Sequence, residues 1–162
     1  MDAPLHDVLS RALGPAVIEA TAAHGLATLV IAPGALAGVV AQLKTEFGFD
    51  LLLDVTAIDW PLRTPRFDVV HHFYSTKTFT RVRVKTRVPA EDPSVETLTA
   101  QYGAARFLER ECHDMYGIGF RGNADLRPIL LYEGFVGHPL RKDYPKQQEQ
   151  PLVRYRTLPT DS

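Results

Sequence analysis

Residues 66–88 of this chain, RFDVVHHFYSTKTFTRVRVKTRV, decide its fold. Over 66–74 and again over 82–88, successive side chains alternate between a more apolar face and a more polar one. Such alternation is typical of a half-buried strand. The polar connector Ser75–Thr78 between the two runs is short, so the stretch predicts an antiparallel hairpin.

Further periodic segments lie on both sides of this hairpin. Strands paired by hairpin, with helices laid on one face, predict a two-layer α+β domain with a mainly antiparallel sheet. Helical spacing or an N-capping serine indicates the helices, and short apolar, β-rich runs indicate the other strands. The predicted helices cover 4–13, 36–47, 94–102 (capped by Ser94) and 104–116, and the further strands cover 28–31 and 51–59.

Residue 117 marks the expected end of this domain, which we place at 1–117. Over 118–162 the periodicity disappears and Gly, Pro and charged residues recur. An irregular tail of that length is rarely idle, and we expect it to wrap a partner subunit. From Lys146 onward the chain is polar, which predicts ordering only on assembly. In the helix before the tail, we expect Phe107, Leu108, Cys112 and Met115 to face inward and Arg106, Glu109, Arg110 and His113 to face outward.

Composition excludes several classes of protein. The 162 residues suit one domain, and 18 Lys+Arg against 19 Asp+Glu argue against a general nucleic-acid or anionic-membrane binder. The single cysteine, Cys112, cannot form an internal disulfide or supply the thiolates of an iron–sulfur cluster, and it favours a reducing compartment. Residues 20–43 carry no charge, but Pro33-Gly34 interrupts them, so we expect no membrane span. Asp2 and Asp7 without a basic segment argue against a signal peptide.

Three motifs have a structural and a functional interpretation. Gly117–Gly122 matches GxGxxG, but a predicted helix precedes it where dinucleotide binding needs a strand. His71 and His72 are adjacent in a predicted strand, so they point to opposite faces and cannot share a metal ion. The basic residues over 81–87 form either a solvated outer face or a docking surface for something acidic.

Charges of both signs are interleaved over 109–145 among Gly, Pro and aromatic residues. A simple acid–base site needs a few convergent groups, whereas charges strung along coil are typical of subunit seams, where Arg–carboxylate contacts fix orientation. We therefore expect no catalytic, cofactor-binding or metal-ligating residues here. Arg141, between Pro139 and Pro145, is the expected anchor for a partner carboxylate.

Two blocks in this stretch carry a family resemblance. Residues 109–118, ERECHDMYGI, resemble the signature of the 30-kDa-type subunit of respiratory complex I, known as the C subunit in bacterial NADH–quinone oxidoreductase. Residues 137–145, GHPLRKDYP, resemble the second block of the same family. Between them, 122–130 reads GNADLRPIL where the family usually has Gly-His-Pro-Asp-Leu-Arg-Arg-Ile-Leu. The interface and signature residues that the resemblance implies are Glu109, Arg110, Glu111, Asp114, Gly117, Phe120, Gly122, Asp125, Leu126, Arg127, His138, Pro139, Leu140, Arg141, Lys142, Asp143, Tyr144 and Pro145.

The resemblance implies a non-catalytic structural subunit of the peripheral arm, on the cytoplasmic face of the inner membrane. Such a subunit supports electron transfer from NADH to quinone coupled to proton translocation, while FMN, the iron–sulfur clusters and quinone are bound by other subunits. Its implied partners are the 49-kDa-type subunit, which the C-terminal extension wraps, and neighbouring iron–sulfur subunits. Nucleic acid is not an expected partner, and membrane contact is indirect.

Two alternatives stay open at this point. The same fold serves related membrane-bound hydrogenases and ferredoxin- or F420-linked complexes, so the chain is alternatively the equivalent subunit of one of these. The second alternative is a stand-alone binding module that uses the basic strand 81–87.

Overall fold

The computed structural model describes residues 3–147 as a two-layer α+β fold, as predicted. Within these residues a five-stranded sheet has the order β1-β2-β5-β4-β3, and β6 and β7 form a small second sheet. A single turn of 3-10 helix, Gly14–Ala16, joins α1 to β1. The elements are α1 (Leu5–Leu13), β1 (Val17–Ala23), β2 (Leu26–Ile31), α2 (Leu36–Thr45), β3 (Leu51–Asp59), β4 (Phe67–Ser75), β5 (Thr80–Val88), β6 (Ser94–Glu96), α3 (Ala105–Tyr116) and β7 (Gly119–Arg121).

The predicted hairpin is the centre of the large sheet. Strands β4 and β5 pair antiparallel from Phe67↔Val88 to Ser75↔Thr80. One face of this pair is apolar, and its side chains share a single buried cluster with those of α1, α2 and α3. These three helices therefore lie on the same face of the sheet, and within residues 3–147 the face that carries Arg83 has no helix on it.

The sequence-based assignment was wrong at three places. Strand β1 was not predicted, because its alternation is carried largely by alanine, a weak strand former. The predicted helix 94–102 is absent, since Ser94–Glu96 forms β6 and pairs in parallel with β7. In α3 the expected faces are partly exchanged, because Glu109 is fully buried whereas Phe107 is 60% exposed. The prediction of a mainly antiparallel sheet is confirmed, because β2 with β5 is the one parallel pair of the five-stranded sheet in residues 3–147.

Two predictions about the core are confirmed. The apolar face of α2 and the thiol of Cys112 are buried in the core. The uncharged residues 20–43 fold into parts of β1, β2 and α2, and within 3–147 no helix is both long and apolar enough to cross a bilayer. The expectation that ordering from Lys146 onward needs assembly lies almost wholly outside the described residues.

The adjacent histidines separate as predicted, with His71 fully buried and His72 half-buried on the other face. Neither ring nitrogen of His71 has a hydrogen-bond partner within the described part of the chain. Burial lowers the pKa of His71 to about 3, because the core cannot solvate an imidazolium ion. His71 is therefore neutral in the folded protein at ordinary pH.

We expect this burial to make stability fall in mild acid. The unfolded chain binds a proton at His71 below about pH 6.5, whereas the folded chain does not, so folding stability is lost at up to about 1.4 kcal/mol per pH unit below that pH. Replacing the ring by an apolar side chain, His71→Leu, removes this term. Urea unfolding between pH 7 and 5 should show the variant gaining stability relative to the parent as pH falls. The exposed His24, changed to Asn, is the control, and a pH-independent difference for His71→Leu would contradict the assignment.

Candidate subunit interface

The C-terminal end of α3 is completed by a segment more than twenty residues further along the chain. The last carbonyls of a helix have no partner inside the helix. Here the carbonyl of Asp114 lies 2.9 Å from Nδ1 of His138, that of Met115 accepts from Leu140 N–H at 3.1 Å, and that of Tyr116 accepts from Arg141 Nε at 2.6 Å. Residues 138–141 thus cap three successive carbonyls of α3.

Gly117 makes this close approach possible. It ends α3 with φ +69°, a left-handed conformation that favours glycine, and its N–H donates to the His113 carbonyl at 2.7 Å. A Cβ at this position would lie 2.5 Å from Nε2 of His138 and 2.6 Å from Nη2 of Arg141. The glycine of the first family block is therefore needed to admit the side chains of the second block.

The Asp114 side chain holds an adjacent part of the irregular segment. Its Oδ2 accepts the backbone N–H groups of Ile129 at 2.7 Å, Leu130 at 2.9 Å and Leu131 at 3.3 Å. Burial by itself would raise the pKa of Asp114, but these three donors and the nearby His113 keep that pKa below its usual value. The carboxylate is thus charged at neutral pH and organises a turn of chain that has no secondary structure of its own.

Glu109 and Arg110 fix the chain that follows β7. Burial raises the pKa of Glu109, while its carboxylate accepts hydrogen bonds from Leu98 N–H at 2.7 Å, the Thr97 hydroxyl at 2.7 Å and the Asn123 amide at 2.8 Å. Asn123 is thus the donor at the position where the resemblance expects histidine. Arg110 donates to the carbonyls of Arg127 and Pro128 at 2.8 and 2.9 Å.

A second anchor lies at the end of β3, and sequence reasoning did not find it. Arg66 grips the buried carboxylate of Asp59 with two hydrogen bonds of 2.7 Å and donates to Asp143 at 2.8 Å. Asp59 also accepts the backbone N–H of Lys142 at 2.8 Å. The Arg66 guanidinium holds the pKa of Asp59 below its usual range, although burial opposes this shift. The sequence signal for this ion pair is a carboxylate at the end of a predicted strand, Asp59, followed seven residues later by Arg66.

Arg141 lies where a partner carboxylate could not use its Nε–H. Besides the Tyr116 carbonyl, its Nη2 approaches that of Gly117 at 3.5 Å, and its guanidinium lies 5.1 Å from the centre of the Phe67 ring. Its Nε–H is therefore used within this chain, and the grip on a partner carboxylate by the remaining N–H groups of Arg141 stays a prediction.

The remaining block residues divide between the inside and the surface. Phe120 is in the core, Leu126 packs against it, and Tyr144 stacks on Phe135 with 6.2 Å between ring centres. Asp125 and Arg127 pair with each other at the surface. Pro139 is half-buried, and the exposed signature residues are Glu111, Gly122, Arg127, Leu140, Lys142, Asp143 and Pro145.

Apolar side chains remain exposed along the outside of the anchored segment. Leu130 is 61% exposed, Leu140 48%, Ile129 37% and Val136 66%. Hydrogen bonds to α3 hold the backbone of Ile129, Leu130 and Leu140. These side chains are therefore positioned before a partner binds. Side chains that are ordered before binding lose less conformational entropy when a partner binds them.

The other motifs fit structural roles. The Gly117–Gly122 stretch follows α3 and contains β7, which is not the strand–loop–helix setting of a dinucleotide site. On the basic strand, Arg87 pairs with Glu19 at 2.8 Å, and Lys85 lies 3.9 Å from Asp68. Across residues 3–147, no three His, Cys, Asp or Glu side chains converge as metal ligands.

An α+β domain whose irregular C-terminal segment is anchored on its own last helix, with apolar side chains left outside, is typical of a subunit of a larger assembly. The family model described as "Respiratory-chain NADH dehydrogenase, 30 Kd subunit" matches residues 29–150, and the chain belongs to this family. The resemblance found in the sequence is therefore confirmed.

Curated relatives and solved structures agree with this membership. The chain is 44% identical over 139 residues to the C subunit of the NADH-quinone oxidoreductase of Agrobacterium fabrum, covering 85% of this chain and 69% of that protein. It is 46% identical over 132 residues to the C subunit of the same enzyme of Dinoroseobacter shibae, covering 80% of this chain and 60% of that one. The trypsin-resistant fragment of Nqo5 superposes with a TM-score of 0.68 at 31% identity, over 76% of this chain and all of the fragment. A chain of the membrane-bound sulfane sulfur reductase, an archaeal respiratory membrane complex, gives 0.76 at 25% identity, over 87% of this chain and 84% of its own length.

The capping of α3 predicts that Arg141 stabilises this chain itself. Arg141→Ala should cost about 1–3 kcal/mol, because two helix-end carbonyls lose their donor, and should lower the melting temperature by several degrees. Hydrogen exchange of the 138–144 amides should speed up in the same variant. Arg141→Lys retains the charge but lacks the planar guanidinium group, so its melting temperature should lie between those of the parent and Arg141→Ala. Unchanged melting and unchanged exchange in Arg141→Ala would contradict the capping role.

Proposed function

We propose that this chain is a non-catalytic structural subunit of the peripheral arm of an NADH–quinone oxidoreductase. In this role it supports electron transfer from NADH to quinone, coupled to proton translocation, while FMN, iron–sulfur clusters and quinone are bound by other subunits. The only cysteine, Cys112, lies 2% exposed in the core, and burial raises the pKa of its thiol, which makes it a packing residue rather than a redox ligand.

The observation that carries the proposal is the anchored segment with its exposed apolar side chains. Asp114 and the end of α3 hold the backbone of this segment, and Asp59 and Arg66 hold its far end. We infer that Leu130 and Leu140 contact the 49-kDa-type subunit, and that neighbouring iron–sulfur subunits and the cytoplasmic face of the inner membrane lie beyond it. Residues 118–162 then form the partner-binding part and 1–117 the supporting domain.

A second candidate is the equivalent subunit of a related membrane-bound complex. The superposition on the sulfane sulfur reductase chain supports it, since it extends over 87% of this chain. Purification of the assembly through a tag on this chain separates the two candidates. NADH-dependent quinone reduction supports the first, and reduction of sulfane sulfur without NADH oxidation supports the second.

Truncating the two exposed leucines should weaken assembly without unfolding the chain. Leu130 and Leu140 are 61% and 48% exposed, so Leu130→Ala and Leu140→Ala remove mainly surface side chains and should lower the melting temperature of the isolated chain only slightly. Loss of a central apolar anchor costs an interface about 2 kcal/mol, or roughly thirtyfold in affinity. Pull-down of the 49-kDa-type subunit by the double variant should fall accordingly.

The matched control is Ile18→Ala, because Ile18 is 56% exposed but lies on the edge strand β1. It should leave the pull-down unchanged. Undiminished recovery of the 49-kDa-type subunit by the double leucine variant would refute the proposed contact.

A further inference from the structure

A groove lies at the tip of the central hairpin, beside the start of α1, whose Leu5 contributes to its lining. An open cavity of about 600 Å³ lies between the β1–β2 turn and the β4–β5 turn. Arg81 and Arg83 line it from β5, Phe79 from the turn before β5, and Thr28 from β2. This groove is at the far end of β4 and β5 from Phe67, against which Arg141 packs. It is therefore separate from the anchored C-terminal segment.

The two arginines of the groove differ in their surroundings from the other bases of β5. Arg87 has Glu19 and Lys85 has Asp68 as a neighbour. Within residues 3–147, neither Arg81 nor Arg83 has a carboxylate within 4.0 Å, and Arg81 instead lies 5.7 Å from the centre of the Tyr74 ring. The positive charge of the sheet face is thus concentrated in the groove.

The distance between Arg81 and Arg83 matches the distance between alternate side chains of an extended peptide. Arg81 and Arg83 are two residues apart on one strand, so both point to the same face and their Cα atoms are about 6.6 Å apart. Carboxylates at alternate positions of an extended peptide repeat at that same distance. Two guanidinium groups at this spacing can each grip one carboxylate with two hydrogen bonds.

Phe79 adds an apolar contact at an energetic cost. It has φ +57°, a left-handed conformation that disfavours bulky side chains, and its ring is 77% exposed. His24, across the groove, has φ +52° as the first residue of a two-residue His24-Gly25 hairpin turn, where positive φ is ordinary. The Phe79 N–H donates to the Ser75 carbonyl at 2.9 Å, so its backbone closes the β4–β5 turn. The exposed ring takes no part in that hydrogen bond, and aromatic and arginine side chains are enriched at protein interfaces.

We propose that this groove binds an extended acidic segment of another protein subunit. Carboxylates at alternate positions pair with Arg81 and Arg83, and an apolar side chain of the same segment packs on Phe79. The contact is independent of the surface formed by Leu130 and Leu140, so the two surfaces hold the chain from different sides.

Photo-cross-linking from position 79 tests the proposal in the intact assembly. Phe79 is replaced by p-benzoylphenylalanine, and the assembly is purified through a tag on this chain and irradiated. The cross-linked peptide should come from another subunit and contain Asp or Glu at alternate positions. Its yield should fall about tenfold or more when Arg81→Glu and Arg83→Glu are combined, because like charges then face each other. Lys77→Glu, a charge reversal in the same turn outside the groove lining, should leave the yield unchanged.

Each other outcome overturns the proposal. Cross-links to phospholipid or nucleic acid assign the groove to a different ligand, and the absence of any cross-link to a second chain means that nothing docks there. The isolated Phe79→Asn variant gives a second readout, because asparagine tolerates positive φ and removes the exposed ring. Its melting temperature should be equal to or above that of the parent, and a clear fall would make Phe79 a structural residue.

Discussion

The capping of α3 by a distant segment is the interaction on which the C-terminal third of this chain depends. A helix that ends in left-handed glycine normally satisfies its last carbonyls locally. Here Gly117 turns the chain away, and His138, Leu140 and Arg141 return to bond the carbonyls of Asp114, Met115 and Tyr116. Without them the helix end would be left with unpaired acceptors, and residues 138–141 would lose the contacts that hold them on α3.

This interaction gives a physical reason why the two family blocks occur together. The first block supplies the acceptors and the glycine, and the second supplies the donors that fit against that glycine. Asp114 accepts hydrogen bonds from two parts of the segment. Its backbone carbonyl accepts from His138, and its carboxylate accepts from the backbone of Ile129 to Leu131. Charges that resemble a docking surface in the sequence are thus largely used to fold the chain onto itself.

The sequence allowed prediction of whatever depends on local periodicity. The β4–β5 hairpin, the apolar face of α2 and the burial of Cys112 follow from alternation or helical spacing. The parallel pairing of β2 with β5 and the bond from Lys142 to Asp59 join residues far apart in the chain, and no local pattern encodes them. The division of α3 into an apolar and a polar face predicts Glu109 on the surface, yet Thr97, Leu98 and Asn123 supply the donors that stabilise its carboxylate in the interior.

The anchors also determine what the surface can offer a partner. Ordering a flexible segment costs free energy for every residue fixed, and that cost reduces affinity when it is incurred on binding. The hydrogen bonds of Asp114, Arg110 and Arg66 offset that cost during folding, so the backbone of the exposed leucines is fixed before any partner binds. The opposite face follows the same logic, because β5 is held between two strands and its arginines are fixed in spacing before any ligand arrives. In the anchored C-terminal segment and in β5 alike, the fold fixes the backbone, and this lowers the entropic cost of binding a partner.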